Sequence, residues 1–586
     1  MRLINVEAFR ERDRLIKQGE LDCHKNVLEF KDDETTEYAI LSHRWTAQEV
    51  DYREMVKLAK MGVEERVRIC RRDGYRKILQ SCEQARANGY EWLWVDTCCI
   101  DKRSSAELSE AINSMYRWYE KAKMCYAYLH DVPGSSFPTA SDWGRYGKFK
   151  GWPEWFSRGW TLQELMAPSN VEFFNKDWQS IGDKRTHAPT LRNITGIPEH
   201  ILTDGLRGNR PCVAQIMSWA AHRKTTRVED RAYSLMGLLD VNMPMLYGEG
   251  KKAFHRLQLE IIRTSNDQSI FAWKCRIGNE QPTSILADDP MLFEGCDEME
   301  LMGHDEFIKY IKTDVPKEEL DSVEDRLGAF PVSNRGIQIW LVLRPYPSSR
   351  TLFQAWLPCR HGRLRPPVAI NLTLWESNYY RYPVVTFGPR PEAPLELCHV
   401  YLRYQDPQHR NTTFKIDDTA LAENGFTSCA VFPKRFSGDT LTLTSTEPLC
   451  VNVYLDSLTN PRFVVGLGQY FGTHWIHILS DDSELIPGRS WQDYTIQKYG
   501  DMVVRAPEHA QRMNKARSGA EQVCIMQVRL PQTNRIFQIS SVMWKSVRAC
   551  GVKLSVFDDP NFSDVSSEWT AFDVDVGSFF CTSQWH

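Results

Sequence analysis

The sequence predicts an α/β domain built on a parallel sheet, extended by helices and followed by an all-β, sandwich- or barrel-like region. Three observations carry this reading. Short apolar runs alternate with segments of helical period from about residue 36 to 180, a helical stretch follows to about 275, and past about 285 short alternating runs recur between Pro, Gly and Asp clusters. The domains expected are therefore 1–275, with its core at about 36–180 and a helical part at about 181–275, and a β-rich 285–586 that divides into one or two β-domains.

In chain order, the strand candidates of the first domain are Tyr38 to His43, Glu91 to Asp96, Cys125 to His130 and Val171 to Asn175, each rich in β-branched or aromatic residues. Between them, Ile78, Leu79, Cys82 and Ala85 form one helical stripe, closed by Gly89, and Leu108, Ile112, Met115 and Tyr119 form a second. A third helix falls in "SRGWTLQELMAP", Ser157 to Pro168, where Leu162, Leu165 and Met166 share a face and Glu164 points away from it. Parallel neighbours need a crossover long enough to hold a helix, and this alternation supplies one each time. Beyond residue 213 the runs "AQIMSWAAHRKTT", "RVEDRAYSLMGLLDV", with Val228, Ala232, Leu235 and Leu239 on one face, and "KKAFHRLQLEIIRTS" read as helix. In the second half the strand candidates are "GIQIWLVLRPY", "AINLTLW", "YPVVTF", "HVYLRY", "DTLTLTST", "CVNVYL", "RFVVGLG", "HWIHIL", "CIMQVRL", "RIFQISSVMW" and "GVKLSVFDD". The aromatics Trp340, Trp356, Trp375 and Trp475 are expected in the cores of these β-domains.

Bulk composition excludes several function classes. A net charge of −4 offers no excess of positive charge to a polyanion, so nucleic acid is not an expected partner. No run approaches the roughly 18 apolar residues of a membrane span, and the charged N-terminus lacks the apolar core of a signal peptide. The 16 cysteines, scattered and including the adjacent Cys98 and Cys99, suit free thiols in a reducing compartment, and a cytoplasmic location is expected.

Ligands of parallel sheets collect at the carboxyl ends of the strands. Three strands there run into polar residues: Ser42, His43, Arg44 and Trp45 after the first, Asp96 to Arg103 after the second, and His130 and Asp131 after the third. Asp96 closes a buried strand and should have a partner such as an arginine or a helix N-terminal amide. Arg227, Glu229, Asp230 and Arg231 read as an ion-pair clasp holding the helical part to the sheet. The ligand-type residues His43, Asp96, Cys98, Cys99, Asp101 and His130 do not follow a zinc spacing, so no metal is expected. A G-x-S-x-G nucleophile elbow is absent, and "YGEGKKAF" lacks the spacing of a phosphate loop and reads as a turn opening a helix.

The runs "YAILSHRW", "LWVDTCCIDKRSSAELSEAINSMYRWYEKAKMCYAYL", "SRGWTLQELMAP", "TTRVEDRAYSLMGLL" and "MLYGEG" resemble, in order, the motifs of the fungal heterokaryon-incompatibility (HET) domain, over roughly residues 1 to 275. The resemblance implies a part in nonself recognition and cell death. HET domains are in turn similar to TIR domains, which have a flavodoxin-like parallel sheet. In enzymatic TIR domains a glutamate in a segment resembling "SxWCLxEL" sits by the nicotinamide ribose of NAD. "SRGWTLQEL" matches with Glu164 at that glutamate, Trp160 at the tryptophan and Thr161 where the cysteine often stands.

The resemblance thus implies hydrolysis of NAD as substrate, with no cofactor required and Glu164 as the catalytic carboxylate. One carboxylate suffices on chemical grounds, because the transition state is oxocarbenium-like and nicotinamide leaves as a neutral molecule. Trp45 and Trp160 could stack on a ring; Arg44, Lys102, Arg103 and Arg158 could meet phosphates; Ser42 could donate to them; Asp96 and Asp101 complete the candidate substrate site. Two rival expectations remain: a non-catalytic module that signals by homo-oligomerising through this domain, and a HET fold recruited as a small-molecule enzyme of specialised metabolism.

Overall fold

The order of strands in the first sheet decides where a ligand can bind, and the computed structural model supplies it. The structure describes residues 1–20, 26–147, 149–206, 208, 210–275, 282–312, 328, 330–346, 349–383, 394–407, 411–433, 438–444, 446–456, 462–481, 490–516, 523–529, 535–544 and 549–558. The chain forms two units, the first of residues 1–274, 286–303 and 358–368, the second of residues 275–285, 304–357 and 369–586.

The first unit begins β1 (Arg2–Asn5), α1 (Val6–Gln18), β2 (Leu28–Phe30) and β3 (Tyr38–His43). It continues α2 (Tyr52–Lys57), α3 (Val63–Cys70), α4 (Asp73–Ala87), β4 (Trp92–Trp94), α5 (Ser105–Lys121) and β5 (Met124–Tyr128), then α6 (Thr161–Met166), β6 (Val171–Phe174) and β7 (Ser180–Asp183). All four expected strands and three expected helices form. The sheet, however, is mixed rather than parallel throughout: seven strands run in the order β2-β1-β4-β3-β5-β6-β7. The centre β4-β3-β5-β6 is parallel, while β1, β2 and β7 add antiparallel edges. These edge strands have only three or four residues, too few to show a period in the sequence.

The chain leaves β3 towards β4 on one side and leaves β5 towards β6 on the other. Adjacent strands whose connections diverge leave a crevice beyond their carboxyl ends. Here that crevice lies between β3 and β5, where Ser42 is in register with Ala127 and His43 with Tyr128.

Local chemistry explains the elements around it. α1 starts at Asn5, whose side chain accepts the Ala8 N–H, and stops at Gly19, whose φ of 77° is a left-handed C-cap. α2 carries a complete capping box from Asp51 and Glu54. α6 is short, and the buried Lys184 ammonium donates to the Leu165 carbonyl in its last turn and to the Pro168 carbonyl just beyond it, a cation placed where the helix dipole favours one.

The helical part contains α7 (Ala188–Thr195), α8 (Glu199–Asp204), α9 (Val213–Ala220), α10 (Asp230–Tyr233), α11 (Met236–Leu239) and α12 (Lys252–Thr264). The run "RVEDRAYSLMGLLDV" is two single turns rather than one helix, and Val228, expected on the packed face, is 47% exposed. The expected clasp is a set of separate structural contacts. Glu229 accepts the N–H groups of Gly248 and Gly250, Asp230 accepts the Tyr247 hydroxyl, Arg227 lies over the Tyr247 ring, and Arg231 pairs with Asp289. "YGEG" is the turn that opens α12, as expected from its spacing.

Gly237 lets α11 approach α5 closely, since a Cβ at that position would fall 2.1 Å from the Tyr116 Cβ. Gly237→Ala is therefore expected to destabilise the protein by about 1–3 kcal/mol. The change should appear as a lower urea midpoint, and an unchanged midpoint would show that the two helices separate freely.

The first unit also holds β8 (Met299–Leu301), paired with Cys359–His361. Further along come α13 (His304–Ile311), β9 (Ile337–Pro345), β10 (Leu352–His361), β11 (Pro367–Trp375), β12 (Asn378–Arg381) and β13 (Glu396–Leu402). Strands β11-β12-β13-β9-β10 close on themselves through a β10–β11 pairing, giving a five-strand barrel whose interior holds Ile337, Ile339, Leu341, Ile370, Leu372, Val400 and Leu402.

After it come β14 (Thr412–Asp417), α14 (Thr419–Glu423), β15 (Phe426–Phe432), β16 (Thr440–Leu443), β17 (Leu449–Asp456), β18 (Arg462–Tyr470) and β19 (Thr473–Asp481), then α15 (Trp491–Ala516), β20 (Val523–Arg529), β21 (Arg535–Trp544) and β22 (Ala549–Asp558). They make a five-stranded sheet, β16-β14-β22-β21-β20, and a four-stranded one, β15-β17-β18-β19. Both contribute to one core, with Phe463 stacked on Phe537 at 3.8 Å between ring centroids.

Ten of the eleven expected strands in this half are present. The other, "YPVVTF", lies beyond Pro383 outside the described residues. Five strands, β8, β10, β12, β14 and β15, and three helices, α13, α14 and the long α15, had no counterpart in the sequence reading. α15 contains Gly500 and Pro507, which interrupt a helical pattern. Trp375 and Trp475 are buried as expected, whereas Trp340 and Trp356 are half-buried. Among the described residues no helix is long and apolar enough to cross a membrane.

Candidate functional site

Glu164 is not where the helical pattern of α6 puts it. Every residue from Thr161 to Met166 is buried, and Glu164 is only 5% exposed. A six-residue helix lying against a strand, with the Cys125 thiol directed at the Glu164 carbonyl, has no solvent face, so its polar side turns inward as well. The expected outward carboxyl is an interior one.

It is held by a directional relay. The Trp155 indole N–H donates to Ser42 Oγ at 2.9 Å, and Ser42 Oγ donates to Glu164 Oε2 at 2.5 Å. Tryptophan can only donate, so the serine hydroxyl is left to pass its own proton towards the carboxyl. The Tyr119 hydroxyl donates to the Leu41 carbonyl and also meets Glu164.

Burial pushes the Glu164 carboxyl up to about 8, and the negative charge of Asp96 adds to this. The Ser42 hydrogen bond, the charge of Arg158 and the Tyr119 hydroxyl all pull it back. At neutral pH the group is therefore largely protonated. Close by, Arg223 is buried, and burial draws its guanidinium down to about 9 against the opposing pull of Glu164. Its hydrogen bonds go to neutral acceptors: the carbonyls of Trp219 and Arg158 and the Thr161 hydroxyl.

A second cluster forms at the end of β3. His43 is buried with Glu49 at 3.7 Å and Asp96 at 3.9 Å. Although burial works against it, the Glu49 carboxylate is held low by the nearby His43 and by the charge and hydrogen bond of Lys77. Lys77 donates to Glu49 and to the Arg44 carbonyl. Asp96 has a partner, but neither an arginine nor a helix amide: its Oδ2 accepts the Trp45 indole N–H at 2.7 Å. The reason is topological, because Trp45 follows β3 and Asp96 follows the adjacent β4. Lys102 completes this group with its ammonium 3.5 Å from the Trp45 ring centre.

The other candidates are divided. Arg44 pairs with Glu154 at 3.0 Å, and Glu154 also approaches His130, whose imidazole is drawn down by burial. Arg103 is engaged by Asp101 at 2.8 Å and is mostly exposed; that pairing holds Asp101 down to about 2. The Arg158 backbone bridges to that of Lys224 while its charge acts on Glu164, and Trp160 meets Asp230 of the helical part. Ser42 thus contacts Glu164, Asp96 and Arg158 act on it through their charges, Trp45 and Lys102 are joined to Asp96, and Asp101 and Arg103 form a local pair of their own. Among the described residues no group of three or more His, Cys, Asp or Glu side chains is placed to hold a metal ion.

Trp155, Tyr119, Glu49, Lys77 and Arg223 escaped sequence reasoning. Trp155 stands in "PEWFSRGW", next to the recognised motif, and its proximity was the one available signal. Arg223 and Lys77 carry no signal, since a buried cation in a helical run looks like a surface one.

Residues 38–148 match the family model described as heterokaryon incompatibility protein (HET), and residues 252–323 match a domain of unknown function, DUF8212. Glu164 lies beyond the first match. The chain is 45% identical over 234 residues to vegetative incompatibility protein HET-E-1 of Podospora anserina, an alignment covering 38% of this chain and 16% of that one. The chain thus matches only 16% of that relative's length. A solved lectin, XCL of Xerocomus chrysenteron, aligns along 100% of its own length and 26% of this chain at 12% identity, with a TM-score of 0.19 that carries no argument.

Proposed function

We propose that the first unit, whose β3–β5 region matches the HET model, is an effector of fungal nonself recognition, and that its chemistry is cleavage of the nicotinamide-ribose bond of NAD by Glu164. The observation that carries the chemical part is the interior position of Glu164 at the carboxyl end of β3, anchored by Ser42. An ionisable group kept in the protein interior with its partners oriented, beside a strand-end crevice, has the character of a functional group. The order β4-β3-β5-β6 of the parallel strands supports a TIR-like, flavodoxin-type arrangement.

The raised pKa suits this substrate. The nicotinamide ring of NAD is cationic, and so is the sugar in the transition state; either one beside Glu164 draws the carboxyl towards its ionised form. The carboxylate then stabilises charge that develops during bond cleavage, which is differential stabilisation of the transition state. Ser42 keeps Oε2 in place, Lys102 and Arg158 supply positive charge for the pyrophosphate, and Trp45 offers a ring face. Because Glu164 is 5% exposed, substrate access requires the segment carrying Trp155 to move, as lids do in many enzymes.

Purified full-length protein incubated with NAD, both dilute and concentrated so that assembled forms are included, is expected to release nicotinamide, and Glu164→Ala to reduce the rate by about 100-fold or more. Equal release by both proteins would sink the reading.

A further inference from the structure

We infer that the first unit carries a second ligand site, a cationic cleft for a nucleoside-diphosphate-type ligand, between the loop after β3 and helix α3. The inference stands apart from the NAD reading. A cavity of about 820 Å³ is lined by Ala47, Gln48, Val63, Glu64, Val67, Arg68, Arg71 and Arg72. That is the size of a nucleotide or cofactor pocket.

Its wall divides into two chemistries. Ala47, Val63 and Val67 offer an apolar surface, and Val63 is 60% exposed. Against the single carboxylate of Glu64 stand three guanidinium groups. Arg72 is committed, since one of its nitrogens meets both Glu54 oxygens at 2.8 and 2.9 Å and also reaches the Glu49 carbonyl at 3.3 Å. Arg68 is barely engaged: Glu65 is 3.9 Å away and both side chains are exposed. Arg71 has no carboxylate partner among the described residues. Two planar donor groups without committed partners, beside an apolar wall, match a diphosphate joined to a flat apolar base.

The cleft is open to solvent, and the loop along one side of it is fixed by the fold. The Gly74 N–H donates to the Gln48 carbonyl at 3.2 Å, and a Cβ on Gly74 would come within 2.5 Å of that oxygen and 2.6 Å of the Glu49 Cα. Only glycine lets α4 press on the cleft loop this closely. The same loop carries Glu49 to Lys77 and His43 and carries Trp45 to Asp96. The cleft and the cluster at the end of β3 thus share one loop.

Calorimetric titration of the full chain with ADP, and separately with inorganic pyrophosphate, tests the site at low ionic strength. Saturable binding of ADP is expected, tighter than that of pyrophosphate because only ADP covers the valines. Joint replacement Arg68→Ala and Arg71→Ala should weaken it about tenfold or more. Arg86→Ala should leave it unchanged, and because Arg68 and Arg71 have no part in the NAD site, the loss in the double variant separates this site from the NAD reading. An absence of saturable ADP binding, equal affinity for ADP and pyrophosphate, or unaltered binding by a correctly folded double variant overturns the proposal.

Discussion

Glu164→Gln is expected to gain stability over the wild-type protein as pH rises from 4.5 to 8, by an amount on the order of 4 kcal/mol at the upper end. The carboxyl ordinarily titrates near 4.5 and is raised to about 8 in the folded chain, with burial the largest cause. Between these values the folded state keeps a proton that the unfolded state has released. Stability therefore falls with rising pH through this window, and the fall levels off above the folded pKa. Glutamine resembles the protonated acid and does not titrate, so its curve lacks that decline.

Neighbouring groups do not confuse the comparison. Burial lowers His130, which makes stability rise with pH below its ordinary value of 6.5, but it does so equally in both proteins. Lys184, drawn down to about 8 by burial, and Arg223, drawn down to about 9, act above the window. Urea unfolding of both proteins over a series of pH values gives the difference directly, and parallel curves would show that the Glu164 carboxyl is ionised in the resting fold. The experiment requires no substrate, so it tests the site geometry independently of the proposed chemistry.

The second large effect lies in the β-rich unit. Trp475, on β19, is fully buried and packs across β18, where Gly468 and Gly466 leave room for it. A Cβ on Gly468 would lie 2.2 Å from the indole, and one on Gly466 would lie 2.3 Å from the Met502 sulfur of α15. The indole also lies 5.1 Å from the His509 ring of the same helix. Trp475→Ala removes the largest side chain in this layer and leaves a cavity that a sheet on one side and a 26-residue helix on the other cannot fill by collapsing. A loss of about 3–5 kcal/mol is expected. Gly468→Ala should be costly too, by overpacking the same contact. Lower urea midpoints for both variants would bear this out; a Trp475→Ala midpoint equal to wild type would mean that α15 settles into the space.

Much of the first unit was legible because each central strand is a contiguous apolar run and each crossover helix has a clear stripe. Tyr38–His43 was bounded correctly at both ends, and the stripe of the second crossover helix packs as expected, with Ile112, Met115 and Tyr119 buried. The β-rich half was legible strand by strand, but not in its closure. Nothing local distinguishes strands that close into a barrel from strands that pair across a shared core, because closure depends on which edges meet. α15 was missed because Gly500 and Pro507 mask its period, and its packing against the four-stranded sheet outweighs their cost.

The candidate site shows the same division. Residue identity, spacing and motif resemblance were enough to name Ser42 and Glu164, 122 positions apart, as parts of one site. Periodicity then misplaced the glutamate, because it assumes that a helix has a wet side. Packing of the short α6 onto β3 and β5 removed that side and turned the carboxyl inward. The same packing brought in Trp155 to fix the direction of the Ser42 proton and Arg223 as a buried cation. Partners of this kind are set by distances through space, and a one-dimensional pattern holds no record of them. Burial is what converts Glu164 from an ordinary surface acid into a group that titrates near 8.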